Sequence, residues 1–143
     1  GRGGQDLNRA WKDGAEAYLG ISVHGFPNLF ILYGPNTNLG HNSILFMLES
    51  QFDYIEQCLK AMQVRQLATM DVKAAVQGKY NRWVQDQIKR TVWEDGCTSW
   101  YKNEAGKNTN NWPGFTLVYK QRTHALRLGD YELVGEGQVT RAA

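Results

Sequence analysis

The chain has 143 residues, of which 42% are hydrophobic and 21% charged, with five Trp, seven Tyr, five Phe and a net charge of +2. That length supports one domain with a real core, the composition excludes a disordered polymer, and the charge is too small to indicate a nucleic-acid or membrane-surface partner. The longest apolar runs are five residues, against the roughly 20 that cross a bilayer. Cys58 and Cys97 lie far apart and the three histidines are scattered, so no metal or redox motif is written here and no metal site is expected; a reducing, cytoplasmic setting is the default.

Residues 1–20 are rich in turns, interrupted by Trp11 and by Ala15-Glu16-Ala17-Tyr18-Leu19. Ile21-Ser22-Val23 alternates weakly like a short strand, and Gly25-Phe26-Pro27-Asn28 turns. Leu29–Tyr33 is apolar on both faces, as in a strand covered on both sides of a sheet, and Gly34-Pro35 stops it. From residue 43 to 62 the period becomes helical. Leu48, Phe52, Ile55, Leu59 and Met62 fall on one stripe, opposed by Glu49, Asp53, Glu56 and Lys60. The first turn of that helix is apolar all round, so its start is expected to be buried. Residues 65–75 form a connection with an extended piece near Met70-Asp71-Val72. A second helix is expected over 74–93, with Tyr80, Val84, Ile88 and Val92 in register and Trp83 beside them. Residues 97–114 read as loop with Trp100 and Tyr101 as anchors, residues 116–128 as a third helix, and residues 135–143 as a frayed tail. The chain starts without Met and reads as the end of something longer.

The loop 34–42, GPNTNLGHN, sits between two greasy segments and opens a helix whose first turn leaves about four N–H groups unsatisfied beside a positive dipole end. Asn36, Thr37, Asn38, Asn42 and Ser43 are able to cap these locally, and in that case the loop is ordinary turn chemistry. A ligand with carbonyl or anionic oxygens is the other way to satisfy them. His41 is read as a polar or capping contact. Ser43 lacks the setting of a nucleophile.

Residues 13–43, DGAEAYLGISVHGFPNLFILYGPNTNLGHNS, strongly resemble the C-terminal part of class B flavoprotein monooxygenases, the Baeyer–Villiger monooxygenases, in the branch near 4-hydroxyacetophenone monooxygenase. The likeness continues more loosely through YNRWVQDQIKRTVW (80–93) and CTSWYKNEAGKNTNNWPG (97–114). It implies an α/β fold, mostly helical in this portion: the C-terminal part of a two-dinucleotide-binding-domain flavoprotein, with a short buried strand, a long helix and further helices and loops. Residues 1–62 correspond to a return segment of the FAD-binding domain, with strand 29–33, loop 34–42 and helix 43–62. Residues 63–143 correspond to a helical and loop extension facing the cofactor cleft.

The resemblance further implies FAD and NADP(H) as cofactors, with O₂ and a small ketone or sulfide as substrates and one oxygen inserted next to a carbonyl or onto a soft heteroatom. Gly34, Pro35, Asn36, Thr37, Asn42, Ser43 and Ile44 match the loop and helix start beside the isoalloxazine, and Trp100 matches a tryptophan near the nicotinamide ribose. No catalytic residue is assigned within these 143 residues. The nucleotide fingerprints and the arginine expected beside the reacting flavin do not occur in this sequence, so the piece is expected to supply one wall of the flavin site and to be inactive alone. His24 stands where the pattern has proline, read as a local surface change. Two other readings stand beside this one: a self-contained aromatic binding module for glycan or single-stranded nucleic acid, and a piece that self-associates through exposed apolar surface.

Overall fold

In the computed structural model, residues 1–40, 43–91, 102–103 and 106–139 are described. In chain order the main elements are α1 (Leu7–Ala10), α2 (Ile44–Arg65), β1 (Leu67–Val72), α3 (Ala74–Ile88), α4 (Thr116–Thr123), β2 (Tyr131–Gly135) and α5 (Glu136–Val139).

α2 starts at Ser43, whose hydroxyl accepts the Leu45 amide at 3.3 Å. It stops at Gln66, which takes left-handed dihedrals (φ 51°, ψ 51°) and returns its own N–H to the last turn. The helix therefore runs three residues past the expected end. Gln66 sends the chain straight into β1, which pairs antiparallel with β2: Met70 faces Leu133 and Val72 faces Tyr131. β2 and α5 are corrections to the sequence reading, which carried the third helix to 128 and frayed the chain from 135. In the structure α4 ends at Thr123, and residues 135–139 are tied down, with the Glu136 amide donating to Gln66 O at 2.9 Å. Residues 140–143 lie outside the described part. α3 begins where expected and buries Tyr80, Val84 and Ile88, with Trp83 packed beside them. Val92 and Trp93 lie outside the described residues.

One core draws Leu19 and Ile21 from the N-terminal loops, Met47, Tyr54 and Cys58 from α2, Met70 and Val72 from β1, and Trp112 and Tyr119 from the later chain. Residues on both sides of position 62 share it. Which face of α2 enters this core differs from the hydropathy pattern. Met47, Ser50, Gln51, Tyr54 and Cys58 are buried, whereas Phe52 and Leu59 are more than half exposed. The reason is polar. Gln51 Nε2 donates to Tyr119 Oη at 3.0 Å, and the Tyr54 and Tyr131 hydroxyls meet at 3.1 Å. Interior partners turn the Gln/Tyr side inward, so Phe52 and Leu59 face out while Ile55 and Met62 of the same stripe still pack against the core.

Leu29–Tyr33 is also corrected. It forms no ladder with the described residues. Phe30 makes a single bridge to Ser22, and the Ile31 amide donates to Ile21 O at 2.8 Å. Left-handed backbone at Asn28 (φ 61°) and Tyr33 (φ 55°) brackets the segment and breaks the extended run. Leu32 and Tyr33 are exposed rather than covered.

His24 is more than a surface change. Its amide donates to Gln77 Oε1 at 2.7 Å and its ring Nδ1 lies 2.8 Å from Val72 O, so it stitches the loop to β1 and α3. A proline there would have no N–H for Gln77. Next to it, the buried Asp71 carboxylate accepts the Gly25 amide at 3.0 Å and pairs with Arg2 at 3.2 Å, which holds the N-terminal segment onto β1.

Candidate functional site

The loop after Tyr33 is set by backbone packing against the turn at residues 19–20. A Cβ placed on Gly34 would sit 2.3 Å from Gly20 O, and one on Gly20 (φ +68°) would sit 2.2 Å from Thr37 Cγ2. Only glycine fits at either position without movement. Pro35, Asn36 and Thr37 are consequently buried, with the Thr37 hydroxyl closing the turn onto Gly34 O at 2.7 Å. The Tyr33 amide donates to Gln51 Oε1 at 2.9 Å, locking the loop to α2.

A second loop clamps the first. The Asn36 amide donates to Thr109 O (2.9 Å), the Asn38 amide to Asn110 O (3.0 Å), and the Trp112 amide returns to Asn38 O (2.8 Å). Asn38 and Asn111 form a parallel bridge, and their side chains meet at 3.0 Å. The buried Asn36 side chain donates to both Asn108 O (2.9 Å) and Asn111 O (3.2 Å). Trp112 anchors this clamp. It is fully buried, its ring lies edge-on to Tyr119 at 5.2 Å, and its Nε1 donates to Phe115 O at 3.2 Å. Tyr119 in turn donates its hydroxyl to Leu19 O at 2.6 Å, beneath the Gly20–Gly34 contact.

The sequence reading missed residues 108–112 as a partner of the loop. The signal was present: Asn-Thr-Asn occurs at 36–38 and again at 108–110, and these two tripeptides are the ones zipped together.

Gly34, Pro35, Asn36 and Thr37 lie in the loop held by residues 108–112, and Ser43 and Ile44 stand at the start of α2. Asn42 and Trp100 lie outside the described residues, as does His41. Asn36 is spent on holding the clamp, with its amide and both side-chain protons in use. The amides of Gly34 and Thr37 donate to no acceptor among the described residues. Pro35 has no amide proton to give.

The helix start is buried on one side only: Ile44 packs against the core and Met47 is buried, whereas Ser43 lies on the surface and Leu45 is 65% exposed. Leu45 in the first turn of the 22-residue helix, and Leu32 and Tyr33 before the loop, are exposed apolar side chains.

No acid–base machinery accompanies it among the described residues. The perturbed groups are buried ones in the core: burial pushes the Cys58 thiol up to about 12 and raises the Tyr54, Tyr119 and Tyr131 hydroxyls. Burial, followed by its bond to Asp130, does the same for Tyr18. These groups stay protonated and structural. Among the described residues no cluster of His, Cys, Asp and Glu suits a metal ion, and no helix is long and apolar enough to cross a membrane.

No protein-family model matches the sequence. A Baeyer–Villiger monooxygenase of Pseudomonas aeruginosa is 47% identical over 135 residues, which is 93% of this chain and 26% of that protein. A second Baeyer–Villiger monooxygenase, from Streptomyces coelicolor, is 40% identical over 94% of the chain. The chain belongs to the Baeyer–Villiger-type flavoprotein monooxygenases. An FAD-binding monooxygenase of Aspergillus niger is 39% identical over 99% of the chain. The chain spans about a quarter of the length of these curated relatives. Among solved structures, a steroid monooxygenase bound to NADP superposes with a TM-score of 0.82 at 22% identity, over 94% of this chain and 26% of that one. Cyclohexanone monooxygenase from Rhodococcus sp. Phi1, bound to NADP+, gives 0.81 at 20% identity, over 94% and 26%. The fold is thus the one the matched segments adopt in those two structures, even where about four residues in five differ.

Proposed function

We propose that these 143 residues are the C-terminal part of an FAD- and NADPH-dependent Baeyer–Villiger-type monooxygenase and form one wall of its flavin site. Bound there, the flavin would take reducing equivalents from NADPH and activate O₂ for insertion of one oxygen next to a ketone carbonyl or onto a soft heteroatom. The observation that carries this reading is the 47% identity, sustained along 93% of the chain, to a protein named as such an enzyme.

The part played by this chain's own residues comes from the loop. Gly34 and Thr37 would present backbone N–H groups, and the start of α2 its positive end, toward the oxygen-bearing edge of the ring. Leu32, Tyr33 and Leu45 would cover its apolar part and keep water away. The Asn36–Asn38 clamp holds these donors rigid, so that little reorganisation is needed when negative charge builds on the ring. The 63–143 extension would face the cofactor cleft.

The outward stripe of α2 supports the same reading. Phe52 and Leu59 join Leu45 as apolar side chains of α2 that are more than half exposed. We assign them to packing against the remainder of the polypeptide. The aromatic-module alternative loses support from the placement of Trp112, Tyr80 and Tyr119, which are buried in the core instead of forming an exposed stacking platform.

The test is the complete polypeptide carrying this segment. It should purify with flavin absorbance and consume NADPH with an aryl ketone to give the ester, and the 143-residue chain should purify colourless. A complete protein without flavin would overturn the proposal, as would an isolated chain that retains stoichiometric FAD.

A further inference from the structure

A cleft of about 390 Å³ opens between α3 and the turn that joins α4 to β2. Its volume falls in the range of small-molecule sites, roughly 300–1,000 Å³, at the end that suits a single ring with a short substituent. None of the outward apolar residues Leu32, Tyr33, Leu45, Phe52 and Leu59 lines it. The cleft is therefore separate from the surface assigned above to the flavin and the rest of the enzyme, and its ligand preference is independent of that assignment.

Three features of its walls point to one ligand chemistry. Tyr18, Tyr80 and Trp83 supply aromatic surface. Lys79, Arg122 and Arg127 supply three cations, against the single carboxylate of Asp130, which already accepts the Tyr18 hydroxyl at 2.6 Å. Among the described residues none of these three cations is paired with a carboxylate.

Arg122 is also held in place. Its guanidinium lies 3.7 Å from the centre of the Trp83 ring. Stacking uses the face of the guanidinium and leaves its in-plane N–H donors available for a forked pair with a carboxylate. Beside it, the Tyr80 ring lines the cleft, and the Tyr80 hydroxyl is buried without a hydrogen-bond partner. Orphaned buried donors are rare and costly in native proteins.

We propose that this cleft binds a small aromatic carboxylate, with Arg122 gripping the carboxylate and Tyr18 and Trp83 flanking the ring. Lys79 and Arg127 then set the sign of the field at the mouth and do not position the ligand.

The test titrates sodium benzoate, benzyl alcohol and inorganic phosphate separately into the complete, flavin-loaded polypeptide by calorimetry, in wild type, Tyr80→Phe and Arg122→Gln. Flavin content is read independently by absorbance, so a failure of the monooxygenase assignment would be visible apart from this one. Benzoate should saturate one site, with benzyl alcohol and phosphate each about tenfold weaker or more. Tyr80→Phe, which removes a hydroxyl buried behind the cleft wall, should leave benzoate affinity nearly unchanged and serves as the control. Without benzoate its melting temperature should be unchanged or higher, because only an unpartnered hydroxyl is lost. Arg122→Gln should remove the preference for benzoate over benzyl alcohol. Benzoate binding untouched by Arg122→Gln would place the ligand elsewhere and overturn the proposal. Absence of saturation by about 10 mM would do the same, and phosphate binding as tightly as benzoate would reduce the cleft to an unspecific anion patch.

Discussion

Asn36 offers the sharpest test of how the loop is held. Replacing it with Ala deletes two donors to the carbonyls of Asn108 and Asn111. Asn108 O keeps a second partner, Gln85 Nε2 at 2.9 Å, but Asn111 O is left without a donor among the described residues in a site that is 1% exposed. One lost hydrogen bond and one orphaned acceptor together cost about 2–3 kcal/mol. Alanine must also hold φ near +57°, a conformation Asn tolerates and Ala does not, for about 1 kcal/mol more. The expected loss is about 3–4 kcal/mol, or roughly 6–16 °C in melting temperature for a protein of this size. Asn36→Gly separates the contributions, since it keeps the backbone conformation and loses only the amide; it should fall short of the Ala variant by about 1 kcal/mol. Urea denaturation followed by tryptophan fluorescence measures both. An Asn36→Ala protein within about 0.5 kcal/mol of wild type would refute the clamp.

Gly34→Ala should cost about 1–3 kcal/mol by overpacking against Gly20 O, measured by the same unfolding curves. Exchange of Phe52 and Leu59 for Ser should change the stability of the isolated chain by less than about 0.5 kcal/mol per site and reduce its self-association in sedimentation, yet lower the melting temperature of the complete enzyme. Cys58, buried and with its thiol pushed up to about 12, should resist a thiol reagent at pH 8 in a Cys97→Ser background until the protein unfolds; rapid native labelling would contradict its burial. Stability should also fall in alkali. Tyr18, Tyr54, Tyr80, Tyr119 and Tyr131 hold their protons in the folded state beyond the ordinary value of 10.0, so the unfolded chain binds fewer protons above that pH. Their contribution is fully present below about pH 10 and is lost as pH rises past it, which a pH series of melting temperatures would show.

Sequence alone was enough for the family, for the existence and start of α2 and α3, for the extended piece at Met70–Val72, and for the turn at Gly34-Pro35. These depend on local periodicity, on glycine and proline chemistry and on the residues quoted from 13 to 43, all of which are read over short spans. Tertiary structure alone decided which side of α2 is buried, because the partners that draw Gln51 and Tyr54 inward, Tyr119 and Tyr131, stand 68 and 77 residues away. It decided β2 as well, whose pairing with β1 closes a long loop and has no local signature. It also gave the two Asn-Thr-Asn tripeptides their meaning. A short amide side chain reads as a turn residue wherever it stands in a sequence, and it becomes a clamp only when folding carries a second backbone to within 3 Å of it.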